Sequence, residues 1–280
     1  MLLSIITINY NNAQGLKRTI NSVENQSWQE FEWIVIDGGS TDGSRELIES
    51  ISDKLSFWCS EPDNGIYDAM NKGIYQAKGK YLSFLNSGDV YYNEATLFNI
   101  FHESNHTEDI LYGDSLKVYT DGHVALDYAP KKVNVLNMCF STICQQGMFV
   151  SLEMLRAKPF DERFKVRGDS HRWLQAVLDG NSYKYLAMPT CRFYMDGISA
   201  SGKSYEKEDA MVRELIPSAI YPYLLKLYYY ETYHPYVRFT NLLERGGLSE
   251  WIVKVFIKVM TLLFLGKKWI ATNKNPKCDN

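Results

Sequence analysis

The sequence predicts an α/β fold in which a mostly parallel central sheet is flanked by helices and followed by a helical C-terminal extension. Three observations carry that expectation. Residues 2–8 form an apolar, β-branched run without alternation, as in a strand buried on both faces. Strand and helix signals then alternate through residue 90, which requires parallel strands joined by right-handed crossovers. Beyond about residue 205 the chain turns to stretches crowded with Tyr and Leu, such as YPYLLKLYYYETYHPY.

Taken in order, residues 14–25 predict a helix and residues 31–36 a second strand. A Gly- and Ser-rich loop, Gly38-Gly39-Ser40-Thr41-Asp42-Gly43-Ser44, feeds an amphipathic helix over 45–51. A short third strand is expected at 55–59, a helix at 66–77 and a fourth strand at 81–85. More irregular strands follow at 110–114 and 146–150, then a helix over 168–178 and a strand over 183–187. Parallel sheets take ligands beyond the carboxyl ends of their strands. That rule gathers residues 7–11, 37–39, 61–64 and 86–89 into one cluster.

Composition narrows the classes. A chain of 280 residues with 45% hydrophobic and 22% charged residues is ordinary for a globular protein. A net charge of -3 gives no nucleic-acid footprint. Aromatic content of 14%, with 20 Tyr, suits flat ligands and suits a packed core equally well. The five Cys are widely spaced without a CxxC pair, so neither a zinc site nor a disulfide framework is indicated. Reduced thiols point to the cytoplasm. The N-terminal residues lack a basic region and a small-residue cleavage site, and read as a strand rather than a signal peptide. Residues 251–269 are strongly apolar, with Lys254 and Lys258 on one helical face and Trp251 and Trp269 at the flanks. Two internal lysines argue against a spanning helix and favour one lying in a membrane interface. Packing on the preceding domain or in a homodimer is the alternative.

Three strand ends offer chemistry. Thr7, Asn9 and Tyr10 bring hydroxyl, amide and aromatic groups that suit a ribose or base, although a polar loop capping the next helix has the same composition. Asp37 is followed by Gly38 and Gly39, where backbone can approach a ligand closely. The pattern is not GxGxxG, which disfavours a dinucleotide site, and Asp42 reads as the cap of the next helix. At the fourth strand end, Asn86-Ser87-Gly88-Asp89 reads in isolation as a turn.

The stretch SIITINYNNAQGLKRTINSVENQSWQEFEWIVIDGGSTDGS resembles the opening of family 2 glycosyltransferases, and SEPDNGIYDAMNKGIYQAKGKYLSFLNSGD continues the pattern. The resemblance is strong over about residues 3–90 and weaker over 140–200. It is nearest to bacterial enzymes that build capsule, exopolysaccharide and lipopolysaccharide. It implies the GT-A fold, whose sheet is Rossmann-like, over residues 1–205. The nucleotide-sugar half would cover about 1–100, the acceptor half about 101–205, and residues 206–280 would form the extension.

It further implies an inverting transfer from a UDP- or GDP-sugar to a growing, lipid-linked glycan, at the cytoplasmic face of the inner membrane. Thr7, Asn9, Tyr10, Asp37, Gly38, Asp63, Asn64, Ser87 and Gly88 match the donor-binding segments. Met70 stands where many relatives have Arg, and Lys72 is the nearby substitute. Asp89 occupies the place of the family's metal motif, for Mn2+ or Mg2+. One carboxylate suffices in principle, because Mg2+ completes its shell with phosphate and water. Asp169, at the start of the 168–178 helix, matches the catalytic base, and Gly168 departs from the acid or Ala usual before it. Gln146 and Arg192 resemble acceptor- or diphosphate-side positions, and His171, two residues after Asp169, is placed to contact phosphate or acceptor, with a structural role as the alternative. Two other classes compete. A sugar-phosphate nucleotidyltransferase needs a GxGTRxxP-like loop that is missing near the first strand. A catalytically silent glycan- or nucleotide-binding scaffold is compatible with the single-Asp motif.

Overall fold

The computed structural model describes residues 1–103, 105–197 and 205–228. Four strands run parallel and adjacent: β3 (Phe57–Ser60), β2 (Phe31–Asp37), β1 (Leu3–Asn9) and β4 (Tyr81–Phe84). β1 lies in the middle with all seven residues buried, which explains its unbroken apolar run. Helix α1 (Ala13–Glu24) joins β1 to β2 and α2 (Ser44–Ser50) joins β2 to β3. α3 (Ile66–Gln76) then joins β3 to β4. On one side Leu3, Ile5, Trp33 and Val35 pack with Leu16, Ile20 and Val23 of α1. α3 approaches β1 so closely that a Cβ on Gly73 would come within 2.6 Å of Ile6.

Beyond β4 the sheet is mixed. β8 (Met148–Ser151) pairs antiparallel with β4 and with β6 (Ile110–Val118). β6 pairs in parallel with β9 (Tyr183–Tyr194), and the two-residue β5 (Val90–Tyr91) closes that edge antiparallel to β9. β7 (Val124–Asp127) pairs antiparallel with β6 alone. The parallel arrangement expected from the sequence thus describes the β3-β2-β1-β4 half of the nine-stranded sheet. Short helices α4 (Thr96–Phe101), α5 (Val135–Phe140) and α6 (Leu152–Ala157) connect this second half, and α7 (Gly168–Leu178) precedes β9.

The first compact unit runs from Met1 to Ser218, so it reaches past the boundary expected at residue 205. The reason is chemical. α8 (Glu206–Arg213) carries Glu208, whose carboxylate accepts the backbone N–H groups of Lys165, Val166 and Arg167 at 2.7–3.0 Å. Residues 219–280 form a second unit, of which residues 221–228 are helical. The apolar stretch at 251–269 lies outside the described residues. Among the described residues no helix is long and apolar enough to cross a membrane.

Candidate active site

The register of the parallel strands sets three polar strand ends side by side: Asn9 opposite Asp37, and Asp37 opposite Ser60. Asp37 is fully buried, and its two oxygens are saturated. Oδ1 accepts from Asn9 Nδ2 at 2.7 Å and Ser40 Oγ at 2.6 Å, and Oδ2 accepts from Ser60 Oγ at 2.6 Å and the Ser40 N–H at 2.9 Å. Burial by itself would raise the carboxyl. The bonds from Ser40, Ser60 and Asn9 outweigh it and hold the pKa below its ordinary value. Ser40 Oγ also receives the N–H of Asn11, whose φ of 47° is left-handed, so the loop after β1 is bound to the loop after β2.

Asp37, expected at the donor site, thus has both oxygens occupied by protein donors. Every lone pair is taken inside the protein. Thr7 is likewise fully buried in β1, with its hydroxyl accepting from Trp33 Nε1 at 3.1 Å. The groups that do face outward are Tyr10, 66% exposed, and the partly exposed Asp63. Both border Gly38. A Cβ there would stand 2.6 Å from Asp63 Oδ2 and 3.1 Å from Tyr10 Cδ2, so glycine is what lets the ring and carboxylate share one floor. Asp63 Oδ1 is fixed by the Gly65 N–H at 2.9 Å. Asn64 is exposed, and its carbonyl accepts from Lys165 Nζ at 2.7 Å. Lys72 is occupied by Glu61 at 3.0 Å and Asp68 at 3.8 Å, which leaves it a paired cation rather than a replacement for the missing Arg.

Residues 86–89 are held from α1. Asn12 Nδ2 donates to the Ser87 carbonyl at 3.1 Å, and Ser87 Oγ donates to the Asn12 carbonyl at 3.2 Å. Thr19 Oγ1 accepts the Gly88 N–H and donates to the Asp89 carbonyl, while Arg18 Nε donates to the Gly88 carbonyl at 2.7 Å. Gly88 has φ of 108°, which a side chain rarely adopts. Asp89 is 5% exposed, and its Oδ1 accepts the Tyr194 N–H at 2.9 Å. Burial pushes its carboxyl well above the ordinary range, and the Tyr194 N–H only partly opposes this.

The donor chemistry of the same segment fits a hard divalent cation. The Asn86 side-chain oxygen is buried without a hydrogen-bond partner, and Asp89, three residues on, is a buried carboxylate with Arg18 as its nearby positive charge. Among the described residues no group of three or more His, Cys, Asp or Glu forms a metal cluster, so phosphate and water would have to complete such a shell.

Asp169 opens α7, where its Oδ1 accepts the Ser170 N–H at 2.7 Å. Burial raises its carboxyl, with the Ser170 N–H, Arg167 and Tyr67 pulling the other way. Tyr67, in the first turn of α3 and four residues after Asp63, hydrogen-bonds to it, which brings the start of α7 to this rim. His171, Gln146 and Arg192 make their contacts elsewhere in the described residues. His171 packs on Phe164 with centroids 4.8 Å apart. Gln146 is buried and accepts from Cys144 Sγ. Arg192 sits on β9 beside Val90 and donates to the Tyr92 carbonyl.

Ser40, Ser60, Arg18 and Tyr67 were not singled out in the sequence. Ser40 alone carried a local signal, through its place in the Gly-rich loop after Asp37. Crevices of about 430 and 500 Å3 that share Asp109, Ser151 and Glu153 lie by the amino end of β4, at the wrong end of the parallel strands for a ligand of this sheet.

The lowered pKa of Asp37 has a measurable sign. A carboxyl depressed in the folded state stabilises the protein above its unfolded pKa, and that stability is lost as pH falls through the folded value. Asp37→Asn should therefore be less stable than wild type near pH 7 by about 1–3 kcal/mol. The difference should shrink as pH falls below about 4, the ordinary carboxyl value. Urea unfolding across pH reads it, and a difference that is constant with pH would contradict it.

A sequence model of glycosyl transferase family 2 matches residues 4–131. An uncharacterized glycosyltransferase of Mycobacterium tuberculosis is 47% identical over 88 residues, covering 31% of this chain and 34% of that protein. A PGL/p-HBAD biosynthesis glycosyltransferase of Mycobacterium bovis is 29% identical over 177 residues, covering 60% and 66%. The match thus spans about a third of the first relative's length. Among solved structures, Staphylococcus aureus TarS in complex with UDP-GlcNAc superposes with a TM-score of 0.64 at 22% identity, covering 77% of this chain and 65% of that one. The mannosyltransferase PcManGT of Pyrobaculum calidifontis, in complex with GDP-Man and Mn2+, gives 0.59 at 14% identity over 96% and 82%. The mixed α/β architecture is that of the GT-A glycosyltransferases. Over residues 4–131, just under half of its length, the chain is similar to glycosyl transferase family 2.

Proposed function

We propose that the chain is an inverting, metal-dependent glycosyltransferase that moves one sugar from a nucleoside diphosphate to a hydroxyl of a growing, lipid-linked surface glycan. The observation that carries this reading is the Tyr67 link. It sets a carboxylate of α7 beside the loop that leaves the Tyr10–Gly38–Asp63 floor. The floor suits a nucleoside: an exposed ring to stack on the base and a carboxylate oxygen to accept N–H or hydroxyl donors. The complexes of TarS with UDP-GlcNAc and of PcManGT with GDP-Man support that donor class.

In this scheme Asp169 takes the proton of the acceptor hydroxyl as its oxygen bonds to the anomeric carbon. The bond from that carbon to the phosphate oxygen breaks, and the nucleoside diphosphate leaves with the electron pair. A single displacement inverts the centre through an oxocarbenium-like state. Asp89 and the Asn86 side-chain oxygen would hold a divalent cation, which would supply neutralisation of the leaving diphosphate. Residues 251–269, outside the described residues, would place the enzyme at the membrane interface where a lipid-linked acceptor resides.

Asp169→Asn should lower transfer by a factor of about 100 to 10,000 while nucleotide affinity holds. Transfer at a near-normal rate would remove Asp169 from the chemistry. The competing reading, a nucleotide-binding scaffold indifferent to metal, is favoured by the burial of Asp89. Calorimetric titration of UDP and GDP with and without Mn2+ separates the two. Wild type should bind more tightly with the ion, Asp89→Ala should lose that difference, and Ser87→Ala should keep it. Binding that ignores Mn2+ in wild type supports the scaffold.

A further inference from the structure

The first turns of α3 and α7 meet at one hydroxyl. Tyr67 is 3% exposed. Its ring packs on Phe160 with centroids 5.4 Å apart and lies flat against Gly168, where a Cβ would come within 2.7 Å of Cε2 and Cζ. The hydroxyl accepts the Asp169 N–H at 3.1 Å. It has two acceptors for its single proton, the Val166 carbonyl at 2.7 Å and Asp169 Oδ1 at 3.4 Å.

We propose that Tyr67 is the positioning residue for Asp169, fixing the start of α7 through its oxygen and stabilising the carboxylate through its proton. This deepens, and rests on, the reading of Asp169 as the base. A hydrogen bond to an ionised carboxylate is about twice as strong as a neutral one. When Asp169 is ionised the proton is drawn from Val166 toward Oδ1, and once Asp169 has taken a proton it returns to Val166. Rotation about one C–O bond does this without moving the ring.

The arrangement also gives Gly168 a reason. Any side chain there would push the Tyr67 ring from its place. It ties the base to the donor floor as well, since Lys165 Nζ donates to the Asn64 carbonyl at 2.7 Å and Tyr67 begins the helix that follows Asn64.

The groups around Asp169 and Tyr67 come from three elements. Arg167, in the loop before α7, pulls its carboxyl down and is itself paired with Asp209 of α8 at 3.0 Å. Glu208 of α8 is held by the backbone of residues 165–167. Tyr67 of α3 stays protonated, because burial lifts its own pKa far above the ordinary value. Removing its hydroxyl leaves burial less opposed, so the Asp169 midpoint must rise.

The test needs no substrate. The full chain is labelled with 13C at aspartate side-chain carboxyls, and the Asp169 signal is identified by its loss in Asp169→Asn. In Tyr67→Phe, which keeps the ring packing, its titration midpoint should move up by about one pH unit. With 3-fluorotyrosine at position 67, a stronger donor of nearly the same shape, it should move down. A midpoint unmoved in Tyr67→Phe, or unmoved with 3-fluorotyrosine should the Phe variant not fold, overturns the proposal. Loss of melting temperature alone would mark Tyr67 as packing only and would overturn it too. If Asp169→Asn still transfers sugar, the base reading fails while the titration shift stands. If Asp169→Asn is inactive and the midpoint does not move, the Tyr67 proposal fails by itself.

Discussion

The buried carboxylate of Asp37 is the interaction on which the rest of the rim depends. Its four hydrogen bonds join the ends of β1, β2 and β3 and the loop after β2. Bonds to a charged group contribute roughly 1.5–3 kcal/mol each, enough together to offset the cost of burying one carboxylate. Because Asp37 is spent inside the protein, the outward-facing polar work falls to Tyr10 and Asp63. Gly38 is the hinge of that division, since only its lack of a Cβ lets Asp63 and the Tyr10 ring close over the nest beneath.

A second consequence concerns residues 86–89. These extend the pairing of β4 with β1, with the Ser87 N–H donating to the Ile8 carbonyl at 3.0 Å. They are then bound to α1 by Asn12, Arg18 and Thr19. The segment is a turn by its hydrogen bonds and an oxygen donor set by its chemistry, and the two readings are compatible. The turn fixes the backbone, with the Asn86 oxygen left without a hydrogen-bond partner and Asp89 bonded to the Tyr194 N–H. Arg18 adds a cation at the edge, stacked 3.6 Å over the Tyr194 ring and 3.3 Å from Asp196.

Legibility in the sequence followed the distance over which residues interact. The parallel half was legible because β1 and β2 are buried on both faces and α1 and α3 are periodic, which are local signals. The second half was legible in part: the helix expected at 168–178 is α7, and the expected strands fall on β6, β8 and β9. β6 and β9 are nine and twelve residues long, far beyond the short strands expected, and their pairing shifts register between Tyr112 and Ser115. A long-range ladder with bulges leaves little periodicity in either strand. The site shows the same limit. Position told that Asp37 matters, yet spacing cannot tell a ligand contact from an organiser whose partners lie on two other strands and a loop. Tyr67 looked like an ordinary apolar position of a helix, and its only trace was the odd Gly168, a hundred residues away. α8 was assigned to the extension because nothing local reveals that Glu208 serves the loop before α7.

These relations converge on one claim, that the four parallel strand ends and the start of α7 form a single donor-binding rim. Hydrogen–deuterium exchange of the full chain, with and without UDP or GDP plus Mn2+, tests it most directly. Protection should appear together in residues 9–12, 38–43, 61–67 and 86–89, and extend to 165–169 through Tyr67 and Lys165. Protection confined to the crevice around Asp109, Glu153 and Arg172, or none at the rim with either nucleotide, would contradict it.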